Sequence, residues 1–281
     1  MTRVCVDAMG GDESPLVVCE GIAAALESDP TLSVLVAGMD DVVTPFCEQH
    51  DRAVPLVATE VIGMAEHPAE AVRKKKDSSI VQGCAAVRRG EAEAFFSAGS
   101  TGAVFAAATM GVGRIRGMKR PALATPLPGI DGHQTVLLDL GANADVRPES
   151  IVQFARMGSA YARTVLGVDV PKVGLLCNGE EETKGSELAL AYHAALAEAD
   201  CGFVGNAEGT DLLLGDFDVI VTDGFTGNVA LKTLEGTAKY IMAVLKEQIS
   251  HSKRGKAGAL LLKPALREVK QGLSGDGHGG A

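Results

Sequence analysis

Short β-branched runs that end in Gly, Asp or Asn alternate along this chain with Ala- and Leu-rich helical patterns, and that rhythm builds a parallel sheet wrapped by helices. The expected strands are 3–6, 33–37, 94–97, 135–138, 172–176, 202–205 and 219–222. Gly-rich or polar turns follow them: Met9-Gly10-Gly11-Asp12, Gly38, Ala98-Gly99-Ser100-Thr101-Gly102, Gly141-Ala142-Asn143, Asn178-Gly179, Asn206 and Asp223-Gly224. In such sheets ligands bind beyond the carboxyl ends of the strands, so these turns are the expected site. A chain of 281 residues, 46% of them hydrophobic, buries a core without metal or disulfides. One large α/β domain, or two intimate ones, is expected.

Several function classes fall away. A formal net charge of −10 repels a polyanion, and with no Trp and three Tyr there is no aromatic platform for stacking bases, so nucleic acid is not an expected partner. The six cysteines are scattered, with no C-x-x-C pair and no zinc spacing, and read as reduced thiols of a cytoplasmic protein with no metal. No Walker loop, strict G-x-G-x-x-G, H-E-x-x-H or G-x-S-x-G occurs, which disfavours nucleotide-driven phosphoryl transfer, a dinucleotide cofactor, a metalloprotease and a serine nucleophile. The most apolar stretch, 103–113, is about half the length of a membrane span and is stopped by Arg114.

What remains is an inventory suited to a small oxyanion: turns with exposed amides, hydroxyls and a few lysines. Ser100 and Thr101 open a helical pattern after a Gly turn. Lys75 and Lys76 precede Asp77-Ser78-Ser79, where the hydroxyls and helix amides suit an anion. Lys184 follows three glutamates at an expected helix start and is poised as a donor to a developing oxyanion. Plain capping, or a solvated basic stretch, is the bland alternative for each. Past Asn228, apolar residues from Leu231 to Ile249 recur at three- or four-residue steps, giving one long amphipathic helix. A basic, Gly-containing break at 250–258, the run Leu260-Leu261-Leu262 and a second helical pattern from Pro264 to Lys270 complete an expected hairpin over 229–271. The leucines beside Lys253, Arg254 and Lys256 suit a dimer seam or an anionic membrane surface.

In order, the strings Val6-Asp7-Ala8-Met9-Gly10-Gly11-Asp12, Lys75 to Ser79, Ser97 to Ala103, Arg120 to Ala124, Leu138 to Asn143, Lys184-Gly185 and Thr222 to Thr233 resemble the PlsX family, the acyl-ACP:phosphate acyltransferases of bacterial phospholipid synthesis. The resemblance implies a Rossmann-like three-layer α/β/α fold with a mostly parallel sheet, akin to phosphotransacetylases and isocitrate dehydrogenases. It implies that inorganic phosphate attacks the thioester of a fatty acyl-acyl carrier protein, yielding an acyl phosphate for a downstream glycerol-3-phosphate acyltransferase. No cofactor is called for. A homodimer, peripherally attached to the inner face of the cell membrane through the hairpin, is implied as well.

On that reading Lys75, Lys76, Ser78, Ser79, Ser100 and Thr101 hold phosphate, Lys184, Asn228 and Asp223 serve the thioester oxyanion, and Asp7, Gly10, Gly11, Asp12, Asp139 and Asn143 shape the turns. Arg114, Arg116, Lys119 and Arg120, four cations within seven residues, are the expected dock for an acidic carrier. Family members usually continue past Gly279-Gly280-Ala281 with a further strand and a terminal helix, so a sheet strand is expected to be missing here. Cys177, where an aliphatic residue is common, and Thr210, where Arg is frequent, depart from the family pattern. Two alternatives stand beside it: a phosphotransacetylase-like enzyme using acyl-CoA, and a non-catalytic membrane-surface scaffold of the same fold.

Overall fold

Both faces of the first sheet are covered by helices, which is why its inner strands are continuous apolar runs. The computed structural model describes residues 2–129 and 132–273, which form two compact units, one up to Met118 and one from Lys119 onward. The first unit runs β1 (Thr2–Asp7), α1 (Leu16–Ser28), β2 (Leu32–Gly38), α2 (Asp40–Cys47), β3 (Ala53–Val57), α3 (Pro68–Lys74), α4 (Ser79–Arg88), β4 (Ala94–Ser97) and α5 (Thr101–Gly111). Its sheet is wholly parallel in the order β3-β2-β1-β4. Side chains alternate across it: Val6, Val34 and Val36 meet Ile22, Leu26 and Val43 of α1 and α2, while Cys5, Leu35 and Ala37 meet Ala86 of α4 on the other face.

The second unit runs β5 (Ala124–Pro128), β6 (Gln134–Leu138), α6 (Pro148–Thr164), β7 (Val173–Leu176), α7 (Glu187–Glu198), β8 (Phe203–Ala207), α8 (Asp211–Leu214), β9 (Val219–Val221), α9 (Gly224–Ser250) and α10 (Lys253–Leu273). The sheet order is β5-β6-β9-β7-β8, parallel except for β5. One face packs Val136, Leu138, Leu175 and Val221 on Phe154 and Leu196 of α6 and α7. The other packs Leu137 and Ile220 on Leu212 of α8 and Leu231 and Leu234 of α9. Each unit is thus a three-layer α/β/α sandwich on a mostly parallel sheet.

All seven expected strands form, within one or two residues at their ends. The sequence reading passed over β3 and β5, whose AVPLV and ATPLP runs carry prolines. Both lie at sheet edges, where a strand tolerates a missing N–H. The expected break at 250–258 shrinks to a turn at His251-Ser252, because Ser252 Oγ accepts from Gly255 N at 2.8 Å and starts α10 at once. Leu260, Leu261 and Leu262 accordingly lie on that helix, and all three are exposed, as are Arg254 and Lys256. The side chain of Lys253 and the residues from 274 on, Gly279 to Ala281 among them, lie outside the described residues. No described helix is long and apolar enough to cross a membrane.

Candidate active site

Asp7 ends β1 beside Ser97 at the end of β4, and it stitches their two turns together. Buried to 1% exposure, its Oδ1 accepts from Met9 N at 3.0 Å and its Oδ2 from Ser97 Oγ at 2.7 Å, while Ser97 Oγ accepts from Gly99 N at 3.0 Å. Gly10 sits so close to this knot that a Cβ there would lie 2.6 Å from Gly99 N, and Gly11 takes a φ of +104° that favours glycine. Asp12 is exposed. Strand order reverses between β1 and β4, the place where open α/β sheets bind ligands. There α5 begins, with buried Ser100 at its N-cap position and exposed Thr101 in its first turn. The Ser100 hydroxyl makes no capping bond, so the side chain leaves the leading amides of this helix unused.

The 75–79 segment is organised differently from the anion cradle its sequence suggests. Lys75 Nζ donates to Glu66 Oε1 and to the Val61 carbonyl, both at 2.7 Å, and the Lys75 hydrogen bond holds the Glu66 carboxyl below its ordinary range. Ser78 is buried at the N-cap position of α4, yet its hydroxyl donates back to the Lys75 carbonyl at 2.8 Å. Ser79 is buried and Lys76 exposed.

In the second unit the turn after β6 is built around Asp139, which is fully buried. Its Oδ1 accepts from Leu123 N and Ala142 N at 3.0 and 3.2 Å, and its Oδ2 from Asn143 N and Nδ2 at 2.7 and 2.8 Å. Asn143 passes the order onward, its carbonyl accepting from Gly224 N at 2.8 Å and its Oδ1 from Arg120 at 3.2 Å. A Cβ on Gly227 would fall on the Asp139 carbonyl oxygen, so only glycine lets the first turn of α9 approach this closely. Asn228 follows, exposed, its amide carbon 3.6 Å from where a Cβ on Gly141 would stand.

Asp223 caps α9, accepting from Thr226 N at 2.8 Å and Thr226 Oγ1 at 2.9 Å. It also lines a cavity of about 320 Å³ with Cys177 and Asn178, Ser186 and Ala189 of the α7 start, and Tyr192. Lys184 lies on the intervening turn, exposed, its stem packed over Gly179. A second cavity of about 430 Å³ is lined by Lys119, Arg120, Arg147, Asp145 and Glu149. The Tyr192 hydroxyl, lining the first cavity, donates at 2.8 Å to the Val146 carbonyl, which lines the second. Burial, helped by the Asp223 charge, pushes Tyr192 up to about 12. Arg114 and Arg116 are exposed in the first unit, Lys119 and Arg120 in the second.

Within each unit, then, the predicted residues gather at the carboxyl ends of strands. In the first, Asp7, Gly10, Gly11 and Ser100 do so; in the second, Asp139, Asn143, Asp223 and Asn228. Sequence reasoning missed Tyr192, Ser186 and Thr226, and it gave Arg120 no role at the Asn143 turn. Tyr192 carried no signal beyond its place in an apolar helical pattern.

A model of the fatty acid synthesis protein family matches residues 2–281. The chain belongs to that family. It is the PlsX family of the ordered motifs, an acyltransferase family. Relatives called phosphate acyltransferase include those of Lysinibacillus sphaericus, 47% identical over 99% of this chain and 84% of the relative, and Desulfitobacterium hafniense, 46% identical over 100% and 84%. Among solved structures, a Streptococcus pyogenes phosphotransacetylase aligns at a TM-score of 0.58 with 18% identity, over 85% of this chain and 82% of that one. A branched-chain phosphotransacylase from Enterococcus faecalis aligns at 0.55 with 15% identity, over 83% and 84%. Those two bear on the fold alone, and they agree with the phosphotransacetylase-like architecture expected from the motifs.

Proposed function

We propose that this acyltransferase moves a long-chain fatty acyl group from acyl carrier protein to inorganic phosphate. A phosphate oxygen attacks the thioester carbon, the tetrahedral oxyanion collapses with cleavage of the C–S bond, and the carrier leaves as a thiolate that takes up a proton. Such chemistry needs positioning and oxyanion stabilisation rather than a protein nucleophile or a redox group. The observation that carries the reading is the second unit's 320 Å³ cavity, bounded by the flanks of the Lys184 turn and by the start of α9. Lys184 and Asn228 are the donors to the oxyanion, and Asp223, as the α9 cap, orients the first turn, which Asn228 directly follows.

In the first unit, the leading amides of α5 with Ser100 and Thr101 bind phosphate. Lys75 reaches it only by sharing its ammonium with Glu66, and Lys76 supplies a second, solvated charge. Arg114, Arg116, Lys119 and Arg120 dock the acidic carrier, and charge reversal at Arg114 and Arg116 should raise the KM for carrier and flatten its salt dependence. The hairpin of α9 and α10 serves as dimer seam and as peripheral contact with anionic membrane, each cation near the surface adding about 1 kcal/mol. A cytoplasmic enzyme so placed hands its acyl phosphate to a membrane glycerol-3-phosphate acyltransferase.

The deciding assay is phosphate-dependent release of carrier thiol from palmitoyl-acyl carrier protein, with acetyl-CoA as the competing donor. Release from the long-chain carrier, lost in Lys184→Ala, is the expected result. Preference for acetyl-CoA would overturn the donor, and silence with both would favour a scaffold.

A further inference from the structure

Three glutamates precede Lys184, yet among the described residues no carboxylate pairs with its ammonium. Glu181 Oε2 and Lys184 Cγ nonetheless stand 3.0 and 2.8 Å from where a Cβ on Gly179 would lie, so the carboxylate sits beside the lysine stem, and a buried side chain holds the turn that carries both. Asn206, at 6% exposure on β8, donates from Nδ2 to the Glu181 carbonyl at 2.9 Å. The same carbonyl oxygen accepts from Lys184 N at 3.0 Å, so both of its lone pairs are engaged. On its other side Asn206 Oδ1 meets His193 Nδ1 at 2.9 Å, and the His193 ring stands edge-on to Phe203 with centroids 5.0 Å apart.

The polarity of this chain is forced. A carbonyl only accepts, so the Asn206 NH2 faces Glu181; its oxygen therefore faces the imidazole, and Nδ1 must carry the proton. The Glu181 carbonyl thereby fixes which way the Asn206 amide points, His193 on α7 braces the amide oxygen, and Asn206 in turn holds the carbonyl from which the Lys184 amide hangs. We infer that Asn206, braced by His193, is a positioning residue for Lys184: it locks the 181–184 turn and so sets where the lysine is presented to substrate. This rests on the proposed role of Lys184.

The test uses the full chain and two readouts. Trypsin cleavage after Lys184, followed by peptide mapping, reports the clamp without any activity. Asn206→Ala should speed it at least tenfold while cleavage elsewhere stays within twofold. Turnover with palmitoyl-acyl carrier protein should fall at least tenfold in kcat, with both KM values within threefold, and Asn206→Ala added to Lys184→Ala should slow the enzyme no further. His193→Phe should show the same pattern more weakly, His193→Asn should restore it, and this half-buried position keeps the question open to test should Asn206→Ala not fold. Unchanged trypsin cleavage after Lys184, or losses that multiply in the double variant, overturn the inference. Wild-type turnover in Lys184→Ala sinks the reading of Lys184 by itself, and the trypsin arm then decides the clamp.

Discussion

Replacing Asp139 by Asn keeps the shape of the side chain and reverses one of its two hydrogen-bonding ends. Four donors converge on the carboxylate, two on each oxygen, at 2.7 to 3.2 Å. Whichever way the new amide turns, its NH2 faces two donors in a site with no solvent exposure. Bonds to a charged acceptor contribute about 1.5–3 kcal/mol each, so losing two costs about 3–6 kcal/mol. Against a typical domain stability of about 5–15 kcal/mol, that is a large share. Urea unfolding of the second unit, followed by circular dichroism, should show the midpoint falling by roughly 1.5–3 M for a slope near 2 kcal/mol per molar. The slope itself should not change. A midpoint shift under about 0.5 M would refute the argument that this carboxylate organises the turn.

The first unit makes a parallel prediction: Gly10→Ala drives a methyl into Gly99 N and the Asp7–Ser97 pair, and should lower that unit's stability by about 1–3 kcal/mol, measured by thermal melting. Burial raises Cys5 and Cys84 from 9.0 to about 12. Above pH 9 the unfolded chain loses those protons while the folded one keeps them, so their contribution is complete below pH 9 and is lost as pH rises toward 12. The decline approaches about 1.4 kcal/mol per pH unit for each thiol, and urea midpoints between pH 8 and 10.5 should flatten in Cys5→Ala/Cys84→Ala. Replacing Leu260, Leu261 and Leu262 by Ser should leave the melting temperature within about 2 °C, since all three are exposed, while sedimentation with anionic vesicles disappears.

Short β-branched runs and Gly-rich turns made the strands and the position of the site legible, because a strand buried on both faces has to be apolar and a βα turn has to accommodate a helix start. Two of the edge strands, β3 and β5, were hidden by Pro55, Pro126 and Pro128, which are disfavoured inside a sheet and permitted at its margin. Among site residues, Asp7 and Asp139 stand out in sequence because they close strands. Nothing local reveals that Lys75 is engaged by Glu66, nine residues away, or that Ser78 turns back on Lys75. Tyr192, His193 and Asn206 matter through contacts between α7, β8 and the loops beside them, and such contacts have no signature in a single helical pattern.

The central position of β9 has a consequence for how this chain is made. Its partners β6 and β7 are both synthesised earlier, yet neither pairs with the other, and the strand between them spans residues 219–221. On the ribosome the first unit has all its strands in hand by Ser97, whereas the second cannot close its sheet until more than eighty further residues beyond Leu138 have emerged. Nascent chains arrested before Val219 reaches the tunnel exit should therefore carry a protease-resistant amino-terminal unit followed by an open, apolar half-sheet, the form in which this protein is most exposed to aggregation and to chaperones.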